Sequence, residues 1–143
     1  QEPALARGAC ATAGEFASRL GLPSVPAIAE RMMLERDLAL AENTGGRYHA
    51  DMLSTADALG PLARARDAGV KVTAGTSIHH LTLNELDVAD YRTFFKFDPP
   101  LRPEADREAI KRAGGYLRPG YERPEQPVNI YGNGAGLLLS VPR

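Results

Sequence analysis

The chain has 143 residues, of which 43% are hydrophobic and 24% charged, with a formal net charge of -1 and an isoelectric point near 6.3. That balance is typical of one soluble globular domain and excludes a disordered chain, while the lack of any Lys/Arg run longer than two residues argues against nucleic acid or an anionic membrane as partner. No apolar run approaches the ~20 residues of a membrane span, and the single cysteine, Cys10, excludes an internal disulfide and a thiolate zinc cluster.

A cytoplasmic setting and a small-molecule or protein partner are therefore expected. The opening QEPALARGACATAG lacks the charged and apolar regions of a signal peptide, and its first residue, Gln1, reads as the start of a processed or excised piece. A short helix is expected from Gly14 to Leu20, ended by Gly21-Leu22-Pro23. Pro26 opens a long helix without Gly or Pro as far as Asn43, with Ala29, Met32, Met33 and Leu40 near the spacing of a core-facing stripe.

Asn43-Thr44-Gly45-Gly46 stops that helix, and Arg47 to Leu53 (RYHADML) predicts a short strand. Ser54 is suited to cap the next helix, with Asp57 three residues on. Gly60-Pro61 either kinks this helix or marks its start, and Gly69 follows its end. Val70 to Thr76 alternates apolar and polar residues as a strand does, delivering the chain to His79 and His80. Thr93 to Phe97 predicts another strand, stopped by Asp98-Pro99-Pro100. Pro103 opens the last helix, with Glu104 and Asp106 in its first turn, Lys111 and Arg112 in its last, and Gly114-Gly115 beyond. From Gly114 to Arg143 the chain is rich in Gly and Pro and reads as an irregular tail, with only Leu137 to Val141 strand-like. The GNGAG within it has the wrong spacing for a dinucleotide fingerprint. This element order predicts an α/β fold with parallel strands, as part of a barrel or of an open doubly wound sheet.

Three histidines are available for chemistry. On an extended strand neighbouring side chains point to opposite faces, so His79 and His80 share a ligand only if the chain turns there. Their place just past a strand end is where α/β folds collect ligands, although packing is an equally open role. His49 and Asp51 lie two apart on the other strand and project to one face, a spacing that offers an imidazole and a carboxylate to one cation. There is no HxH, HExxH or CxxC motif to complete such a site, and no nucleophile elbow or phosphate-cradling loop.

Five stretches carry a resemblance: QEPAL at Gln1 to Leu5, then LGLPSVPAIAERMMLERDLALAENTG, HADMLST, VTAGTSIHHLTLNE and KFDPPLRPEADREAI. In this order they resemble dihydroorotase, the pyrimidine-pathway member of the metal-dependent amidohydrolases, over about residues 1–113. The resemblance implies a partial TIM (β/α)8 barrel with about three parallel strands and flanking helices, cut from a fold that takes about 250 residues. It also implies zinc as the cofactor and interconversion of dihydroorotate with carbamoyl aspartate.

Residues 1–113 would then be the central part of the barrel, and 114–143 an atypical tail, truncated or frame-altered. The same resemblance implies that His79 and Asp98 contact substrate and that His79 and His80 orient a loop at the barrel mouth. His49 and Asp51 are the nearest candidates for metal. Met52 stands at the position of a family ligand histidine, Gly75 where many relatives have an acid, and Asp98 where they have the Asn of an NPPLR loop. The family's first-strand HxH, bridging lysine and last-strand Asp fall outside the chain, so by itself it is expected to lack a complete active site. Unclosed parallel strands should also make it unstable or prone to associate. The departures support an alternative, a non-catalytic dihydroorotase-like scaffold that partners aspartate transcarbamoylase or a second copy of itself.

Overall fold

The structure is a computed structural model that describes residues 1–88 and 93–114, together with the backbone of 136–139. Its centre is a strand, helix, strand unit: β3 (Arg47–Ala50), α4 (Leu59–Asp67) and β4 (Lys71–Ser77). The strands run parallel, in the register Arg47 to Lys71 and Ala50 to Ala74. Period-2 alternation sends Tyr48, Ala50, Val72 and Ala74 towards the helices and leaves Arg47, His49, Lys71 and Thr73 on the opposite, solvated face.

The covered face packs on α3 (Ile28–Thr44), α4 and α6 (Glu104–Ala113). Leu34, Leu38, Leu53, Ala58, Leu62, Leu81 and Ile110 join Ala50 and Ala74 in one core cluster. Tyr48 adds a polar tie, donating its hydroxyl to Asp37 Oδ2 at 3.1 Å. Burial, reinforced by the Asp37 carboxylate, pushes the phenol up to about 12.

The stripe of α3 differs from the expected one. Ala29, Glu30, Leu34, Leu38 and Ala41 face inward, whereas Met32 and Leu40 are 46% and 56% exposed. Gly45 ends the helix in the left-handed conformation, φ 65°, as the Gly-Gly stop predicts. In the following loop Thr55, not Ser54, caps the turn Ala56–Ala58 by accepting from Asp57 N, because the Ser54 hydroxyl is engaged elsewhere.

Three local features were not legible in the sequence. Helix α1 (Pro3–Ala6) and a two-residue parallel pair, β1 (Ala11–Thr12) with β2 (Ser24–Val25), flank α2 (Glu15–Leu20). His79 and His80 lie on a short helix, α5 (Ile78–Thr82), capped by the Ser77 hydroxyl, so the chain does turn after β4. The strand expected at Thr93 to Phe97 is instead a single 3-10 turn, Thr93–Phe95, with Phe94 67% exposed. Among the described residues no neighbouring strand is paired with it, and aromatic content alone does not make a strand.

The set of about three parallel strands is corrected accordingly. Parallel pairing is confined to β3 with β4 and to β1 with β2 among the described residues. The second edge of β4 is occupied by β5 (Gly136–Leu139) in antiparallel register, Ala74 to Leu139 and Ser77 to Gly136. The strand-like part of the tail thus forms a strand, shifted from Leu137 to Val141. The remainder of the expected irregular tail, 115–135 and 140–143, lies outside the described residues.

Beyond β3 the chain bends at Met52, whose φ of 57° is left-handed, with Met52 N donating to Asp51 Oδ1 at 2.8 Å, before Leu53 rejoins β4. A non-glycine residue there carries about 1–2 kcal/mol of steric cost, least for Asn and most for β-branched side chains. Urea unfolding should therefore place Met52→Asn at or above the parent midpoint and Met52→Val at least about 1 kcal/mol below it. Equal midpoints for the two variants would show that this conformation carries no strain.

Candidate functional site

The carboxyl ends of β3 and β4 meet the N-terminus of α3, strand β1 and the loop before α6, and four buried polar side chains fill this corner. Arg102 and Glu30 form its centre, with side chains only 1% and 8% exposed and Nη2 3.6 Å from Oε2. Arg102 Nε donates to Ser54 Oγ at 2.9 Å and Nη1 to Thr12 Oγ1 at 3.2 Å. Thr12 passes its own proton to the Leu101 carbonyl at 3.0 Å.

Glu30 is the common acceptor. It receives Ser54 Oγ at 2.5 Å and the amides of Ser54 and Thr55 at 3.0 and 3.1 Å. Asp106 continues the pattern, accepting from Ala56 N at 2.7 Å. One loop therefore hands three successive backbone N–H groups to two carboxylates on α3 and α6, which fixes it against both helices. Burial pushes the Arg102 pKa down, and the negative charges of Glu30 and Asp106 oppose that shift. Nη2 lies 3.6 Å from Glu30 Oε2 and has no hydrogen-bond partner among the described residues, so the guanidinium is held there by two hydrogen bonds and one ion pair.

α5 adds the second half of the corner. His80 is buried, with Nε2 3.0 Å from the Pro99 carbonyl and Nδ1 2.9 Å from Ser77 Oγ. A carbonyl only accepts, so the proton sits on Nε2, and Nδ1 accepts from the Ser77 hydroxyl. Burial is the main force keeping this imidazole below its ordinary value of 6.5, against the opposing pull of the Pro99 carbonyl and Glu30.

Its neighbour His79 is exposed and stacks on Phe97, ring centroids 4.6 Å apart and planes 28° from parallel. Phe97 leads directly into Asp98, which is exposed, and the cis Asp98–Pro99 bond. A cavity of ≈ 290 Å3 beside this loop is lined by Gln1, Val25, Lys96, Phe97, Asp98 and Pro100. Asp98 and Phe97 line this cavity, and His79 adjoins it only through its stack on Phe97.

The pair assigned to metal fares differently. His49 Nε2 and Asp51 Oδ1 are 4.0 Å apart, and His49 Nδ1 is taken by Thr73 Oγ1 at 2.7 Å. Among the described residues no group of three or more His, Cys, Asp or Glu side chains converges. Two donors without a third do not fit a zinc site, which takes three or four protein ligands at about 2.0–2.3 Å. Met52 is half-buried at the turn that follows.

Sequence reasoning overlooked Glu30, Ser54, Arg102 and Thr12. One signal was available: Glu30 lies four and eight residues before Leu34 and Leu38, a charge on the core-facing stripe, which requires a buried partner.

The geometry can be compared with known proteins. No protein-family model matches the chain. Among solved structures, the fold is similar to a D-hydantoinase from a Bacillus species, at 27% identity and a TM-score of 0.56, covering 66% of this chain and 22% of that one. A dihydropyrimidinase from Brevibacillus agri gives 26% identity and a TM-score of 0.55 over 66% of this chain and 22% of its own. The fold is therefore similar to one segment of hydantoinase and dihydropyrimidinase structures.

Closer relatives sharpen this. The dihydroorotase of Syntrophobacter fumaroxidans is 44% identical over 112 residues, 78% of this chain, and that of Desulfotalea psychrophila 41% identical over 113 residues, 79% of this chain. The chain spans about a quarter of the length of these relatives, 26% and 27%. It is a homologue of one segment of the dihydroorotases.

Two measurements probe the corner. Arg102→Met leaves the Glu30 charge buried and unpaired and should cost about 3–5 kcal/mol in urea unfolding. Adding Glu30→Gln, which keeps an acceptor for the Ser54 and Thr55 amides, should recover more than about 1 kcal/mol of that loss. Strict additivity of the two substitutions would show the pair to be uncoupled.

The second is a pH series. Because the folded state holds His80 below 6.5, the unfolded chain binds the extra proton first, so this group's stabilisation is complete above that pH. It is lost as pH falls from 6.5 toward the depressed value. His80→Asn should flatten that part of the stability profile, and an unchanged slope would show that His80 does not contribute to it.

Proposed function

We propose that residues 1–113 form the central segment of a dihydroorotase-type cyclic amide hydrolase of pyrimidine biosynthesis, acting between carbamoyl aspartate and dihydroorotate, and that 114–143 is a separate tail. The observation that supports this most is the 44% identity to a dihydroorotase over 112 residues. The proposal includes the architecture, an arc of a (β/α)8 barrel. A parallel pair is ordinarily covered on both faces, yet β3 and β4 present Arg47, His49, Lys71 and Thr73 uncovered, as a strand pair does when the remaining barrel lies elsewhere.

In this reading the chain's own residues bind and orient rather than activate. His79, held flat on Phe97, borders the substrate, and Asp98 faces its polar edge from the adjoining loop. Beneath them the His80 to Pro99 hydrogen bond and the Arg102 to Leu101 neighbourhood fix that loop, so its position is inherited from buried contacts. Zinc in this family supplies the activated hydroxide, and its ligands would come from outside the described residues.

Asp98 is the informative position, since a carboxylate there repels an anionic substrate. In the intact protein, assayed for ring closure of carbamoyl aspartate, Asp98→Asn should lower KM by about fivefold, the effect of removing roughly 1 kcal/mol of like-charge repulsion, and His79→Ala should raise it. An intact protein that neither closes nor opens the ring with zinc supplied would overturn the reading.

A further inference from the structure

Of the side chains that pin the 96–102 segment from below, Thr12, His80 and Arg102, only His80 is of a type that titrates near neutral pH. We propose that the His80 to Pro99 hydrogen bond is a proton-operated latch: proton uptake at His80 Nδ1 releases the 97–100 part of the segment, Asp98 included, while the sheet stays folded. The latch rests on contacts within this chain and holds whether or not the proposed hydrolase activity does.

Hydrogen-bond direction is the first reason. Neutral His80 donates from Nε2 to the Pro99 carbonyl and accepts at Nδ1 from the Ser77 hydroxyl, 2.9 Å away on a residue only 3% exposed. A proton on Nδ1 turns that acceptor into a donor. The hydroxyl must then rotate to offer its oxygen, which already caps the His80 amide, and its own proton loses its acceptor in a buried place.

The surrounding charges do not repair this loss. α3 supplies the Glu30 carboxylate, which is committed to Ser54, Thr55 and Arg102. The 96–102 segment supplies Arg102, whose cation opposes an imidazolium, and the exposed Lys96 and Asp98. α6 supplies Arg107, paired with Glu104 and Glu108, and β4 only the uncharged Ser77. Burial is the largest influence on the ring and holds it below 6.5, against the pull of the Pro99 and Pro100 carbonyls and of Glu30.

Anchoring is the second reason, because it decides which side of the latch moves. α5 continues directly from the buried end of β4, places Leu81 in the core cluster and receives Arg107 at the Leu81 and Thr82 carbonyls. The 97–100 stretch has neither helix nor strand and starts at half-buried Phe97 and exposed Asp98. It gives way while α5 stays, and the opened ring regains its ordinary affinity for a proton in water. Glu85 cannot supply this effect: burial and Asp106 push its carboxyl up, so the folded state holds that proton more tightly and acid favours closure there.

Chymotrypsin cleavage of the full chain at Phe97, normalised at each pH to the urea-unfolded chain, reads the opened population, with Tyr48 on β3 as the control for the sheet. Cleavage at Phe97 is expected to rise as pH falls below 6.5, by up to about tenfold per pH unit, the limit set by uptake of one proton. It should level off at the midpoint where the imidazole nitrogen signals of His80 titrate by NMR in the folded chain, with cleavage at Tyr48 constant throughout. His80→Gln, a neutral side chain that keeps a donor for the Pro99 carbonyl, should remove the pH dependence. A rise at Phe97 that persists in His80→Gln would overturn the proposal, as would titration of His80 without any change at Phe97. Parallel increases at Phe97 and Tyr48 would also contradict it, because the whole chain would then be unfolding rather than one segment.

Discussion

The Arg102 to Glu30 pair is the constraint on which the corner depends. Two long charged side chains almost without solvent exposure meet at 3.6 Å, and each is tied to a different part of the chain. Glu30 sits on the first turns of α3, Arg102 just before α6, and Ser54 between β3 and α4 bridges them. A buried pair of this kind adds little net stability compared with an apolar equivalent, because desolvation offsets most of the attraction. Its effect is specificity: the hydrogen bonds of Glu30, Ser54 and Arg102 form together only when α3, the post-β3 loop and the 96–102 loop meet in this arrangement. Among the described residues sixteen hydrophobic ones reach core burial, so apolar packing drives collapse while the polar network selects the register of the loops.

The same network explains how a rim can be built on irregular chain. The 96–102 segment lacks strand or helix beyond its start, and loops of that kind are normally mobile. Here it is pinned from below by His80 at the Pro99 carbonyl, by Thr12 at the Leu101 carbonyl and by the buried Arg102 side chain. Exposed His79 and Asp98 and half-buried Phe97 are then presented by a backbone with fixed contacts. This arrangement is what a ligand-facing loop needs, with preorganisation coming from residues that never touch the ligand. The sheet beneath it is finished asymmetrically: β5 closes one edge of β4 by antiparallel pairing, whereas β3 remains an edge among the described residues.

Much of the fold was readable because its signals are local. Gly45, Gly69 and the Pro103 to Gly114 capping pattern mark helix ends through backbone conformation and dipole alone, and the alternation of Val70, Val72 and Ala74 marks β4. The failures have non-local causes. β1 and β2 are two residues each and exist only because their partners are present. Thr93 to Phe97 has strand composition without a pairing strand among the described residues, and Met32 and Leu40 fall on the exposed side of α3 because helical spacing alone cannot say which face of a helix is covered. For the site, burial distinguishes the packing histidine, His80, from the exposed His79, a difference that adjacent positions in sequence do not carry. The His49 and Asp51 spacing does place both side chains near one another, but among the described residues no third ligand joins them, since convergence is a property of the fold and not of a dipeptide interval.

The hold of the Glu30 and Asp106 carboxylates on the post-β3 loop can be read amide by amide. Native-state hydrogen exchange should show the Ser54, Thr55 and Ala56 N–H groups protected to the same degree as the Leu53 amide, which bonds the Gly75 carbonyl at 2.8 Å, with all four opening as one unit. Rapid exchange of the three loop amides beside a slow Leu53 would contradict it, because the buried charges would then be packing against a loop they do not hold.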